Sequence, residues 1–155
     1  MKRRSFLKGT LATGAAAVAV NAGLLTPSTV LADWNKKAFN AKAPEDALNA
    51  AFGMSNATAS SDIDLGAPAI AENGAVTPIK VDATKMAGVE SIAILASKNP
   101  FPFVCEYSFS GPALGYVSTR IKMGETQNVV AIVKAGGKLY KAEQEVKVTI
   151  GGCGG

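Results

Sequence analysis

Beyond residue 62, apolar and polar side chains alternate along most of the chain with the period of two that is typical of β-strands. Turn-forming pairs such as Asn73-Gly74, Gly111-Pro112 and Gly136-Gly137 separate the alternating segments. The pattern predicts seven strands: Ile63–Ile70, Val76–Asp82, Val89–Ser97, Phe103–Ser110, Tyr116–Met123, Thr126–Lys134 and Leu139–Ile150. Strands at intervals of about ten residues favour an antiparallel, immunoglobulin-like β-sandwich over alternating strands and helices.

Each predicted strand has one apolar face for a shared core. Phe103, Cys105 and Tyr107 are expected to share a face of their strand, while Glu106 points away from it. Cys105 is therefore expected to be a small, buried core residue that reacts slowly.

Residues 33–61 are expected to form a helical extension that ends in a loop. Lys36-Lys37-Ala38-Phe39 begins a first short helical stretch, and Ala43-Pro44-Glu45-Asp46 places proline and acids where a helix start prefers them. An apolar stripe follows and ends at Gly53, a plausible helix stop. The small, polar residues 54–61 then predict a loop before the sandwich of residues 62–150.

The first 32 residues have the features of an export signal. Arg3 and Arg4 precede a mildly apolar, Ala- and Gly-rich run, which matches the twin-arginine pattern, and Val30-Leu31-Ala32 predicts cleavage before Asp33. A membrane anchor is the alternative, but the apolar run is too short and too polar to span about 30 Å of hydrocarbon. We therefore expect a periplasmic protein that is exported folded, with no stable membrane insertion.

Composition excludes several kinds of chemistry. The chain contains no histidine and only two cysteines, which leaves no histidine-assisted nucleophile, no conventional metal centre and no cofactor site to predict. The leader carries the whole net charge of +4, so the remainder does not indicate a nucleic-acid binder. Asp62 and Asp64 flank a strand start and lack the spacing of a calcium loop, and Glu143 and Glu145 share one strand face with lysines, which is typical of a solvated face. No catalytic residue is predicted, and folded export favours a partner assembled beforehand.

The segment Gly151-Gly152-Cys153-Gly154-Gly155 follows directly from the last predicted strand. Glycines have no side chain to pack and allow the backbone to enter a narrow channel, so residues 151–155 are expected to form a flexible arm that carries the Cys153 thiol. A frayed terminus with an incidental cysteine, or a disulfide between Cys153 and Cys105, is the alternative. The arm contains no other side chain that could activate the thiol.

The glycine-framed cysteine after Val146-Lys147-Val148-Thr149-Ile150, together with the twin-arginine leader, resembles the SoxY family of sulfur-carrier subunits in bacterial thiosulfate oxidation. Ala71-Glu72-Asn73-Gly74, Asn99-Pro100 and Arg120-Ile121-Lys122 add to the resemblance, which spans essentially the whole mature chain. The resemblance implies an immunoglobulin-like carrier rather than a catalyst, with Cys153 as the site of covalent substrate attachment.

The same resemblance implies a set of partners. These are a SoxZ-like subunit without its own export signal, a haem c-type enzyme that joins thiosulfate to the thiol, a thiosulfohydrolase and, in some organisms, a sulfane dehydrogenase. Cys105 is not part of the family motif, and a disulfide formed by Cys105 would compete with loading. Two other functions stay open on the residues alone: a soft-metal binder that uses Cys153, and a structural or adhesive sandwich with a functionless tail.

Overall fold

Two short helices open the part of the molecule that the computed structural model describes, residues 35–149. Helix α1 spans Lys36–Asn40, and the Asn35 side chain caps it by accepting a hydrogen bond of 3.1 Å from the Ala38 amide. Helix α2 spans Pro44–Phe52 and ends at Gly53, whose φ of 72° is the left-handed conformation that glycine adopts without strain. The predicted helical extension is thereby confirmed over these residues.

Within the described residues, nine strands follow the helices and form two sheets. The strands are β1 (Ala57–Ala59), β2 (Asp64–Gly66), β3 (Ile70–Ala71), β4 (Thr77–Asp82), β5 (Val89–Ala96), β6 (Phe103–Ser108), β7 (Tyr116–Ile121), β8 (Gln127–Ala135) and β9 (Lys138–Val148). The large sheet has the order β1-β9-β8-β5-β6, with β3 also paired to β9, and the small sheet has the order β2-β4-β7. The predicted, mostly β sandwich is confirmed.

The pairings among the long strands are antiparallel, as expected, but β1 and β3 pair with β9 in parallel. These two parallel pairings were not predicted, because hydrophobic alternation specifies which face of a strand is buried and not the direction of the strand.

The central strand β5 of the large sheet is buried on both of its faces. Ile92 and Ile94 of β5 face the small sheet and contribute to the core between the two sheets. Ala93 and Leu95, which point the other way, pack with Leu48 of α2 in a second core beneath the helices. Burial on both faces explains why β5 is a continuous apolar run instead of an alternating one.

One predicted strand and one predicted loop were wrong. The segment Ile63–Ile70 is not a single strand, because Ala67-Pro68-Ala69 separates β2 from β3. Pro68 has no amide proton for a sheet hydrogen bond, which accounts for the interruption. The segment 54–61, predicted as a loop, contains β1, whose three residues lie beside Leu139, Tyr140 and Lys141 of β9.

A β-bulge changes the face on which Phe103 lies. Ile94 of β5 is opposite Cys105, but its neighbour Leu95 is opposite Phe103, so Val104 is an extra residue in β6. Phe103 therefore packs with the helices, whereas Cys105 lies towards the core between the sheets. The expectation that Phe103 and Cys105 share one face was wrong, because alternation assumes an uninterrupted strand.

We predict that Phe103 holds the helices on the sheet. Its ring meets Phe39 of α1 edge-on at a centroid distance of 5.0 Å and Phe52 of α2 at 6.4 Å. Phe103→Ala removes a buried aromatic side chain that touches both helices, so the free energy of unfolding in urea should fall by about 3–5 kcal/mol.

Phe101→Ala is the matched control, since it removes the same side chain two positions away, where 46% of it is exposed. This change removes the contact with Lys42, whose ammonium lies 3.5 Å from the ring centroid, and should cost about 1 kcal/mol or less. Equal losses in the two variants would contradict the assigned packing.

Candidate functional site

The predicted attachment site lies just past the last described residue. Strand β9 ends at Val148, and Thr149 is the last residue that the structure describes. The predicted site and signal residues lie outside the described range: Arg3, Arg4, Gly151, Gly152, Cys153, Gly154 and Gly155. The described geometry that bears on Cys153 is therefore the place where the chain leaves the sandwich.

Three loops meet the end of β9 at one end of the sandwich. The antiparallel register places the loops after β3, β5 and β7 beside the end of β9, while the hairpin that joins β8 to β9 lies at the opposite end. We call the loops 72–76, 97–102 and 122–126, together with Gln127 at the start of β8 and Lys147, Val148 and Thr149 at the end of β9, the collar.

Hydrogen bonds from both sides fix the last residues of β9. The amides of Lys147 and Thr149 donate to the carbonyls of Ala69 and Ala71, at 3.0 and 3.2 Å. From the other side, the Thr126 hydroxyl accepts from the Val148 amide at 3.0 Å. Because these amides are paired, β9 stays in an extended, sheet-like geometry up to Thr149.

Gly74 allows the loop after β3 to approach the end of β9. Its carbonyl accepts a hydrogen bond of 2.7 Å from the Met123 amide. A Cβ atom on Gly74 would overlap the Met123 carbonyl oxygen and would lie 2.8 Å from a Val148 methyl group. Glycine is required here for close approach, since its φ is not in the left-handed region.

A network of buried amides joins the other two loops of the collar. The Gln127 side chain is nearly inaccessible to solvent, and its carbonyl accepts from the Lys98 amide at 2.7 Å while its NH2 group donates to Asn99 at 2.9 Å. The Asn99 side chain also donates to the Lys122 carbonyl at 2.8 Å. A buried amide with both of its ends paired gives the network one stable arrangement.

The second thiol, Cys105, lies in a different place. Cys105 is half-buried on the edge strand β6, so the expectation of complete burial was wrong. Burial nevertheless raises the pKa of the Cys105 thiol, and hydrogen bonds with Tyr107 and the backbone of Ile94 oppose that rise. Cys105 is thus a weakly ionised thiol on an open edge of the sandwich.

Comparison with known proteins identifies the family. The family model described as sulfur oxidation protein SoxY matches residues 48–153, about two thirds of the chain and as far as the predicted attachment cysteine. The chain belongs to the SoxY family. It therefore belongs to a family of sulfur carriers rather than enzymes, as the sequence resemblance implied.

A solved SoxY structure supports the assignment. The sulfur carrier protein SoxY from Chlorobium limicola f. thiosulfatophilum is 42% identical to this chain, and the match covers 68% of this chain and 94% of that one with a TM-score of 0.61. Among curated protein sequences, none matches this chain significantly.

The leader also has a family match. A model of the twin-arginine translocation signal matches residues 1–20, which include Arg3 and Arg4. This SoxY protein is therefore exported to the periplasm by the twin-arginine route, as predicted. Within residues 35–149, no helix is both long and apolar enough to cross a membrane.

The other candidate side chains in the described part of this SoxY protein are not grouped into a site. Within residues 35–149, no three side chains of the metal-binding types come together. Asp62 and Asp64 are exposed near the start of β2, and the Glu143 carboxylate lies 3.7 Å from the Lys141 ammonium on the outer face of β9. Their interpretation as solvated carboxylates fits these positions.

The sequence analysis did not recognise that the collar residues belong to one site. Asn73-Gly74 and Asn99-Pro100 were recognised as turns and as part of the resemblance, but nothing in their spacing places them together. Thr126 and Gln127 gave no signal, because their roles depend on neighbours 22 and about 28 positions away.

We predict that Gly74 is required for the collar. In Gly74→Ala, the new methyl group displaces the Met123 carbonyl or Val148, which should cost about 1–3 kcal/mol of unfolding free energy. The amides of Val148 and Thr149 should also exchange hydrogen faster. Gly124→Ala is the control in the same collar, since a Cβ atom there meets open space. Similar losses in both variants would contradict the close approach at Gly74.

We also predict that Cys105 alkylates slowly in the native, reduced protein. Only the thiolate reacts with iodoacetamide, and the raised pKa lowers the thiolate fraction at pH 8. Peptide mapping should find Cys153 labelled at least about tenfold faster than Cys105, whose rate should keep rising above about pH 8.5. Unfolding in urea should bring the two rates together, and equal rates in the native protein would contradict the prediction.

Proposed function

We propose that this SoxY protein holds thiosulfate-derived sulfur covalently on Cys153 and presents it to a series of periplasmic enzymes. The observation that carries the proposal is the SoxY family match, which extends through Cys153. Cys153 follows Thr149 by only four residues, and Thr149 belongs to the hydrogen-bonded collar. A thiol on a short glycine-rich arm with a fixed origin is suited to delivery, since the tether keeps its local concentration high.

The loading step is an oxidation of the thiol. Cys153-SH and thiosulfate, S2O3(2−), combine to form Cys153-S-S-SO3(−), with the loss of one proton and two electrons. The electrons have to pass to an acceptor, for which the haem c-type partner enzyme is suited. The new bond joins the Cys153 sulfur to the terminal sulfur of thiosulfate.

Hydrolysis then releases the outer sulfur. Water adds to the sulfonate group of Cys153-S-S-SO3(−), and the products are Cys153-S-SH and hydrogen sulfate, which balances atoms and charge. A thiosulfohydrolase would catalyse this step, and a sulfane dehydrogenase would oxidise the remaining persulfide sulfur. The chain itself contributes the nucleophile and the arm, which is consistent with its lack of histidine.

The proposal includes the division of the chain inferred from its sequence. Residues 1–32 are the removable leader, 33–61 the helical extension with its loop, 62–150 the sandwich and 151–155 the carrier arm. No cofactor, metal or nucleic acid is needed for the carrier role.

The test is a comparison of the two cysteines. Cys153→Ser retains the shape of the arm but removes the sulfur nucleophile, so cells that carry it should export the protein and lose thiosulfate oxidation. Cys105→Ser is the matched control and should retain thiosulfate oxidation. Its half-buried hydroxyl should lower the free energy of unfolding by at most about 3 kcal/mol. Full oxidation with Cys153→Ser would contradict the carrier proposal.

A SoxZ-like partner is part of the proposal. Strands β6 and β7 are edge strands whose unpaired groups are available to a neighbour. The Tyr107 hydroxyl of β6 donates a hydrogen bond of 3.1 Å to the Thr119 hydroxyl of β7, so the two edge strands lie side by side. Native purification from the periplasm should therefore yield a second small protein at about one copy per chain, and recovery of the monomer alone would contradict this expectation.

A further inference from the structure

The second thiol of this chain, Cys105, lies far from the place where the arm begins. The strand register places Cys105 of β6 opposite Ile94 of β5. Ile94 is in turn opposite Ala131 of β8, and Ala131 is opposite Ala142 of β9. Cys105 is therefore level with Ala142 and three strand spacings away from it, while Thr149 is seven residues further along the chain.

The dimensions of a sheet give the separation between Cys105 and Thr149. Three strand spacings amount to about 14 Å across the sheet, and seven extended residues amount to about 23 Å along it. The two Cα atoms are therefore roughly 27 Å apart. The twist of the sheet rotates its strands about an axis that runs across them, so it leaves this separation nearly unchanged.

The arm is too short to cross this separation. The Cα atom of Cys153 lies at most about 14 Å from that of Thr149 even in a fully extended chain. It therefore stays roughly 13 Å or more from the Cα atom of Cys105, whereas the two Cα atoms of a disulfide lie within about 7 Å. The direct path is also closed, because β8 and β5 lie between the two positions with the small sheet on one face and the helices on the other.

We propose that the sandwich acts as a spacer that keeps Cys105 beyond the reach of Cys153 in the same folded chain. The two thiols of one molecule then neither form a disulfide nor exchange sulfur. A disulfide that joins Cys105 to Cys153 has to link two molecules, so its formation depends on protein concentration. The distance argument rests on the fold, and its consequence for carried sulfur rests on the proposed carrier function.

The consequence for carried sulfur is that it stays on the arm. If the two thiols met, a Cys105 thiolate would attack the outer sulfur of Cys153-S-SH, form Cys105-S-SH and release the Cys153 thiolate, which balances atoms and charge. The sulfur would then lie half-buried on strand β6, on a residue without an arm. The spacer prevents this loss within one chain, and the low thiolate fraction of Cys105 slows the same reaction between two molecules.

The test asks which thiols a mixed disulfide on Cys153 meets within one molecule. Each protein is purified from the periplasm, reduced, and equilibrated at low concentration in a buffer of reduced and oxidised glutathione. Intact mass without reduction distinguishes a chain that carries glutathione from a chain that has lost two hydrogen atoms to an intrachain disulfide. Peptide mapping then identifies the cysteines that are joined.

Two variants with the same number of thiols are the matched controls. Cys105→Ser/Glu72→Cys places an exposed thiol beside the place where the arm begins, because the Thr149 hydroxyl donates to the Glu72 carbonyl at 3.5 Å. Cys105→Ser/Lys138→Cys places a thiol that is also exposed at the opposite end of β9. Since both new thiols are exposed, a difference between these variants reports distance rather than accessibility.

We expect native wild type and the Lys138→Cys variant to carry glutathione on Cys153 without an intrachain disulfide. The Glu72→Cys variant should form the disulfide, with a ratio of intrachain disulfide to glutathione adduct at least about a hundredfold higher. In urea, wild type should form the disulfide between Cys105 and Cys153, since the unfolded segment between them is flexible.

A disulfide between Cys105 and Cys153 in native wild type, or an intrachain disulfide in the native Lys138→Cys variant, would overturn the spacer. Its absence from the Glu72→Cys variant would also overturn it, because the length of the arm would then not decide which thiols meet. The readout uses glutathione and not thiosulfate. A lack of sulfur adducts on Cys153 in cells would therefore contradict the carrier function while leaving the spacer intact.

Discussion

A thiol that lies four residues beyond a folded domain reaches only as far as the end of that domain allows. At about 3.4 Å per residue, the Cα atom of Cys153 can lie at most roughly 14 Å from the Cα atom of Thr149. The position of Thr149 is defined by the close approach of Gly74 and by two hydrogen bonds, which the Thr149 amide donates to the Ala71 carbonyl and the Val148 amide donates to the Thr126 hydroxyl. In the proposed carrier role, the central constraint is therefore the position from which the arm begins.

The architecture of the sandwich supports this constraint. The central strands β8 and β5 of the large sheet are buried by the small sheet on one face and by the helices on the other, which makes the strand beside β9 difficult to displace. Strands β1 and β3 cover the outer edge of β9 in parallel, one along its first half and one at its end. Strand β9 is thus paired on both sides at the point where the arm begins.

Much of the fold was predictable from the sequence because alternation and turn residues act locally. The helix from Pro44 to Phe52 and the long strands β4 to β9 agree with the pattern to within a few residues. The errors have non-local causes. The bulge at Val104 depends on the pairing of β6 with β5, and β1 is a strand only because β9 lies beside it.

The proposed attachment residue, Cys153, was likewise singled out from the sequence, since glycines on both sides of a thiol offer no side chain to pack. Its supporting residues were not evident. Gln127 and Asn99 are ordinary polar residues in sequence, and only the fold places their amides within 2.9 Å of each other. Local pattern thus singles out a candidate reactive group, whereas the residues proposed to position it are brought together only by tertiary contacts.

The most direct test of the account is the mass of each cysteine-containing peptide in protein isolated from the periplasm of thiosulfate-grown cells. The account predicts sulfane and thiosulfonate adducts on the peptide that contains Cys153, removable by a thiol reductant, and an unmodified peptide around Cys105. Adducts on Cys105, or an unmodified Cys153 in cells that are oxidising thiosulfate, would contradict it.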